Sequence, residues 1–314
     1  MNWILLIILI FIAINILAFL ILSAVLYSAL LVRTKKEKWG RNVSMPEDPE
    51  YVALYSEALK WGETYEPNCR ELDIKNGKLR LFGKYFDFGS DKAVIIIPGR
   101  MECCSYSFSY AEPYRKAGYN VLAIDVRSHG LSDGKICSLG YKEYSDIIAW
   151  GTYLHDSLQI KEIVLHGICI GASTALFTMI SEKCPDYFRA MVADGMYVSF
   201  GESFKNHMIE KNRPLFPFYP LVMLYIRIIS GADAVNDGPL NRISKLKKPV
   251  LFIHSRKDIY SLPEKAEELY ALCGSEHKKI VWFDKGGHSR VRFNNPEKYD
   301  ITIKNFLDSL QQKD

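Results

Sequence analysis

"HGICIGAST", residues 166–174, follows the apolar run Ile163, Val164, Leu165, and its reading decides how the rest of the chain is understood. Gly167 and Gly171 flank Cys169, which stands between a strand-like run and a helix-like one, in the middle of a G-x-nucleophile-x-G pattern. Glycines let the backbone bend sharply from strand to helix. Such a turn lifts its central side chain above the sheet edge, and the helix N-terminus beneath it stabilises a thiolate. Small residues around a cysteine also arise where a helix packs closely on a sheet, and free cysteines are often buried. Cys169 is therefore either a core thiol or a nucleophile, and the other strand ends must discriminate.

"AVIIIPG", "NVLAIDVRSHG", "EIVLHG", "RAMVADG", "PVLFIH" and "KIVWFD" are short runs without polar alternation, separated mostly by helix-length segments. Strands buried on both faces have that composition. Alternating strands and helices predict an α/β fold: a mainly parallel sheet covered by helices on both faces, with ligands at the carboxyl ends of the strands. Ahead of them, "RELDIKNGKLRLFGKYFDFG" alternates apolar and polar residues around Asn76-Gly77, which predicts an antiparallel hairpin.

Two strand ends carry the partners a nucleophile needs. Asp258 follows the run ending at Ile253, and His288 follows Gly286 and Gly287 after the last strand. The order Cys169, Asp258, His288 is nucleophile, acid, base, the order of the nucleophile-elbow arrangement. There the histidine takes the thiol proton while the acid fixes its tautomer. Asp194, after "RAMVA", is a rival for the acid role.

These residues carry a resemblance. From about Cys69 to Leu310 the chain resembles the α/β-hydrolase fold superfamily through "IIIPGR", "AIDVRSHGLSDG", "HGICIGAS", "HSRKDIYSLP" and "KGGHS". The resemblance implies that the backbone N–H groups of Arg100 and Ile170 form an oxyanion hole, and that Asp125, Arg127, His129 and Ser132 make a structural turn. It implies no metal and no organic cofactor. Two positions depart from the pattern: Pro98-Gly99 stands where His-Gly is usual, and Cys169 stands where Ser is usual. "GICIG" is similar to the elbows of dienelactone hydrolases and Cys-type acyltransferases. A thioester intermediate can pass its acyl group to water, amines, thiols or alcohols, so transfer stays beside hydrolysis.

The chain has 314 residues, 48% of them hydrophobic, enough for one large α/β domain. A net charge of +4 gives nucleic-acid binding no support. Seven cysteines without C-x-x-C pairs read as free thiols in a reducing compartment. From Trp3 to Val32 there is no charged residue, and the run is followed by Arg33, Lys35, Lys36 and Lys38. About 20 apolar residues suffice to span a bilayer, so residues 1–32 are expected to be an uncleaved anchor, with the basic flank and the domain after it in the cytoplasm.

Residues 33–68 read as a linker with one packing helix, and 69–314 as the hydrolase domain, interrupted at about 198–240 by a longer insertion. This insertion is expected to form a small helical cap, with the substrate admitted beneath Pro214 to Ile229; the segment "PLFPFYPLVMLYI" could instead touch the bilayer beside the anchor or add a helix to the core. The expected activity is cleavage of an ester or thioester of an apolar acyl small molecule. The alternatives are an acyltransferase with the same nucleophile, or a noncatalytic membrane-tethered binding module.

Overall fold

The computed structural model describes residues 3–311. A first helix, α1 (Trp3–Leu31), leads to α2 (Pro49–Thr64) and then to the hairpin β1 (Cys69–Asn76) and β2 (Leu79–Phe86). Asn76 pairs with Leu79, so the turn is Gly77-Lys78, one residue later than the dipeptide suggests, with Gly77 at φ 57°. Alternation follows: β3 (Lys92–Ile97), β4 (Asn120–Ile124), α3 (Tyr144–Leu158), β5 (Glu162–Ile168), α4 (Ile170–Met179) and β6 (Phe188–Asp194). Helices α5 (Phe200–Glu210) and α6 (Phe218–Ser230) occupy the insertion, before β7 (Val250–Ser255), α7 (Pro263–Leu272), β8 (Lys278–Phe283) and α8 (Pro296–Gln311).

The eight strands form one sheet in the order β1-β2-β4-β3-β5-β6-β7-β8, antiparallel at its β1-β2 and β2-β4 pairings and parallel elsewhere. The run Ile95, Ile96, Ile97 is fully buried because successive side chains face opposite layers. Ile95 and Ile97 pack with Trp150 of α3 and Leu176 of α4. Ile96 packs on the other side with Ala58 of α2 and with Tyr299 and Ile303 of α8. Six parallel strands thus end along one edge, where loops carry the side chains singled out above.

α1 is long and apolar enough to cross a membrane. No residue from Trp3 to Leu22 is buried, whereas Ser23, Tyr27 and Leu31 are. Those last turns belong to a third apolar cluster with Phe200 and Phe204 of α5 and Val222 and Ile226 of α6. The connection that follows is tied down too. Arg33 donates to the Lys135 and Gly130 carbonyls, Trp39 stacks on His129 at 4.6 Å, and Arg41 pairs with Asp125 at 2.9 Å.

Trp150 is fully buried against Gly83 of β2, where a side chain would bring its Cβ within 3.3 Å of the indole. Trp150→Ala is expected to lower stability by about 3–5 kcal/mol, measured as the shift in urea midpoint at constant m-value.

Candidate active site

Between β5 and α4 the chain turns at one residue. Cys169 has φ 55° and ψ −112°, a conformation that costs a non-glycine residue about 1–3 kcal/mol and that only a tightly determined environment holds. The flanking glycines are that environment. A Cβ on Gly167 would come within 2.2 Å of the Gly171 carbonyl oxygen, and one on Gly171 within 2.2 Å of the Ile97 carbonyl oxygen. The Cys169 N–H donates to the Asp194 carbonyl at 2.8 Å, which fastens the turn to the end of β6. Ile170 then opens a helix buried along its whole length. Its N–H is among those an α-helix leaves without an internal acceptor, and it points toward the same end of the sheet as the thiol.

Asp258 stands in the turn after β7, buried, with one carboxylate oxygen accepting the Tyr260 and Ser261 N–H groups at 2.9 and 2.8 Å. The other oxygen meets His288 Nδ1 at 2.7 Å. The imidazole also makes a side-chain hydrogen bond with Cys169, so the three residues far apart in sequence form one chain of contacts. Tyr260 packs edge-on to the imidazole at 5.6 Å. Gly195, at φ 62°, leaves the ring its space: a Cβ there would sit 3.3 Å from Cε1. Burial works against a charged imidazole, but Asp258 and Cys169 together hold His288 well above its ordinary value. Burial likewise opposes the Asp258 carboxylate, yet His288 and the two backbone donors bring it below the ordinary range.

Asp194 is differently engaged. One of its oxygens accepts the Tyr299 hydroxyl at 2.7 Å, and burial, only partly offset by that bond, pushes its pKa to about 7. Tyr299 also reaches His166 Nε2 at 3.2 Å, and Tyr114 reaches Nδ1 at 3.1 Å, so a buried polar chain supports the elbow from below.

Two residues not singled out in the sequence shape the loop after β3. Glu102 accepts the Gly99 N–H at 2.8 Å and the Tyr51 hydroxyl of α2 at 2.6 Å, and is itself buried. The Gly99 N–H is thereby consumed inside the loop. Arg100, next in line, extends its guanidinium to the Leu30 carbonyl of α1 at 3.4 Å. Asp125 accepts the Cys104 and Leu131 N–H groups at 2.7 and 2.8 Å, an arrangement that ties loops together away from the thiol.

A cavity of about 730 Å³ lies over Cys169, bounded by Arg100, Ile170, Phe200, Phe204, His288 and Leu30. Its apolar wall comes from α5 and from α1. Residues 214–230 do not line it, because the inward face of α6 is spent on covering α5 and α1. Among the described residues no group of three or more His, Cys, Asp or Glu side chains is arranged to hold a metal ion.

The opposite shifts of His288 and Asp258 give a signed expectation. The raised histidine contributes stability in full below the unfolded value of about 6.5, and loses it as pH rises through the higher folded value. The lowered Asp258 contributes above the unfolded value of about 3.9, and loses it as pH falls through the folded value. The Tm difference between wild type and Asp258→Asn is therefore expected to peak between about pH 4 and about pH 6.5 and to shrink toward alkaline pH. A difference that grows steadily above neutrality would contradict the pairing.

Comparison with known proteins bears on the fold. A family model described as the alpha/beta hydrolase fold matches residues 92–228. The Bacillus subtilis (strain 168) protein YqkD, itself uncharacterised, is 31% identical over 206 residues, which cover 65% of this chain and 67% of that protein. The protein bem46 of Schizosaccharomyces pombe is 27% identical over 177 residues, 56% of this chain and 54% of that one. Among solved structures, the Pyrococcus furiosus esterase Pf2001 superposes with a TM-score of 0.68 at 27% identity, covering 79% of this chain and 93% of its own. With its strand order, its elbow between β5 and α4 and these relatives, the chain belongs to the α/β-hydrolase fold superfamily.

Proposed function

We propose that this hydrolase cleaves an ester or thioester of an apolar acyl substrate while anchored in a membrane by α1, with Cys169 as nucleophile, His288 as base and acid, and Asp258 as the group that orients His288. The single observation that supports this most is the contact chain from Cys169 through His288 Nδ1 to Asp258, at 2.7 Å for the last step, beneath a cavity of acyl-binding size. The likeness to a Pyrococcus furiosus esterase favours ester cleavage. The length and hydropathy of α1 favour anchoring, and the basic flank Arg33 to Lys38 favours a cytoplasmic domain.

In this reading His288 holds the thiol proton, and Cys169 Sγ attacks the carbonyl carbon. The carbonyl electrons move to oxygen, which the N–H groups of Arg100 and Ile170 receive. Collapse of this intermediate expels the leaving group, which takes the proton from His288 and departs as alcohol or thiol. The acyl group remains as a thioester on Cys169. Water then attacks that carbonyl while His288 takes its proton. Collapse releases the carboxylic acid and returns the proton-sharing pair of Cys169 and His288. Asp258 keeps Nδ1 protonated throughout, so that the other ring nitrogen serves the thiol. An amine or thiol could replace water in the second half, which is the transferase alternative.

The test is turnover of chromogenic esters and thioesters by the full chain in detergent, with and without an amine acceptor. The full chain is required because the last turns of α1 are part of the cavity wall. Cys169→Ala and His288→Ala are expected to abolish turnover without unfolding the protein, and Asp258→Asn to lower it by about 10⁴-fold. Asp194→Asn should cost less than Asp258→Asn; the reverse would move the acid role to Asp194. Faster product formation with the amine than with water would assign transfer. Absence of both turnover and alkylation of Cys169 at neutral pH would leave a binding module.

A second expectation concerns the nucleophile itself. Cys169→Ser should retain less than about one hundredth of the activity, because a hydroxyl is far less acidic than a thiol and this site holds its base for a thiolate. Equal activity on oxyesters would mean that the sulfur is incidental. For topology, a reporter fused after residue 314 is expected to read as cytoplasmic.

A further inference from the structure

α6 is apolar on both sides. Val222, Met223 and Ile226 face inward and are buried, while Pro220, Leu224 and Ile228 face outward at i, i+4 spacing, and Phe216 is exposed just before the helix. Leu224, Ile228 and Phe216 are 48%, 69% and 82% exposed. A helix of this kind lacks the charged face that water requires, and an exposed apolar row of this size marks a contact surface.

The neighbouring helix says what covers it. The stretch of α1 with no buried residue, Trp3 to Leu22, rises about 30 Å at 1.5 Å per residue, the thickness of a bilayer's hydrocarbon core. The remaining turns, which include buried Ser23, Tyr27 and Leu31, belong to the protein. α6 meets α1 where those two parts join: the Phe218 ring lies 5.9 Å from Phe19, and the Tyr225 hydroxyl donates to the Leu20 carbonyl at 3.0 Å. That is the level at which hydrocarbon gives way to headgroups. Exposed Lys211 and Arg213 precede α6 and exposed Arg227 lies on it, cations of the kind that suit lipid phosphates. The cavity over Cys169 is bounded by Leu30, about 15 Å further along α1 than Leu20, and by Lys211 and Arg213 just before α6, so both elements that meet at this level lead to it.

We infer that α6 is an interfacial helix whose exposed Leu224 and Ile228, with Phe216 just before it, lie in the acyl–headgroup boundary of the leaflet that receives the end of α1, and that the cavity takes an acyl ester or thioester dissolved in that leaflet. The inference rests on reading α1 as a membrane span. α6 and α1 then form two sides of one membrane-apposed face, and an acyl chain passes from the leaflet into the cavity without crossing bulk water.

The full chain reconstituted in phosphatidylcholine vesicles that carry a diazirine-tagged acyl chain, followed by mass-spectrometric mapping of the adducts, tests the placement without using catalysis. Adducts on Phe216, Leu224 or Ile228 as well as on α1 are expected. Adducts on α1 alone would overturn the inference and leave the anchor standing. Adducts on neither would overturn both. The function is tested by the double variant Leu224→Asp, Ile228→Asp, whose changes lie on the exposed face. Its turnover of a vesicle-borne long-chain ester is expected to fall about tenfold or more, since two large apolar side chains are lost from the boundary, while p-nitrophenyl acetate turnover stays within about twofold. Equal loss on both substrates, or on neither, would overturn the leaflet route.

Discussion

The single-residue reversal at Cys169 constrains more of this molecule than any other feature. Strand β5 and helix α4 approach so closely there that neither flanking position tolerates a Cβ, and Cys169 itself is held at a positive φ. The carbonyl of Ile97, at the end of β3, fills the space next to Gly171, so the neighbouring strand cannot shift without disturbing the elbow. The end of β6 is joined to it through the Cys169 N–H and the Asp194 carbonyl. Three parallel strands therefore converge on one residue. The strain is held by a helix buried along its whole length and by three strands buried over nearly all of theirs.

Much of this was legible in the sequence, for a physical reason. Buried parallel strands read as unbroken apolar runs, and all six runs singled out became strands β3 to β8. A residue just beyond such a run must lie at the sheet edge, which is why Cys169, Asp258 and His288 could be named together. Glu102 and Tyr51 could not. Their bond joins positions 51 apart in sequence, and nothing in either local pattern announces it. The same holds for Tyr299, whose hydroxyl reaches both Asp194 and His166 from the last helix. The "PLFPFYPLVMLYI" segment was ambiguous because hydropathy counts apolar residues without saying which way they face; the cavity wall went instead to Phe200 and Phe204 of the more polar helix before it.

α1 shows the same limit in another form. No charge falls between Trp3 and Val32, and the polar residues Asn15, Ser23, Tyr27 and Ser28 are scattered, so composition alone cannot say where exposed helix ends and packed helix begins. Burial places that boundary at Ser23. Past it, Lys38 donates to the Ser28 and Val32 carbonyls at 3.0 and 2.5 Å, and Arg100 reaches Leu30, so the helix C-terminus is satisfied by cations from the chain that follows, one of them in the loop beside Cys169.

That attachment leaves little play between the helix and the cavity over Cys169. Val32 bridges to Ile136, Cys137 donates to the Leu31 carbonyl, and Arg33 is bonded on both sides of the turn at Gly130 and Lys135. A domain on a long tether would sample a hemisphere above the surface and meet its substrates in three dimensions. On the proposed reading of α1 as a membrane span and the cavity as the catalytic one, a domain clamped at Leu31 keeps its cavity at a fixed height and searches only in the plane. The concentration that governs its rate is then a mole fraction within the sheet of lipid: diluting the vesicles at constant composition leaves turnover unchanged, whereas diluting the substrate with inert lipid slows it.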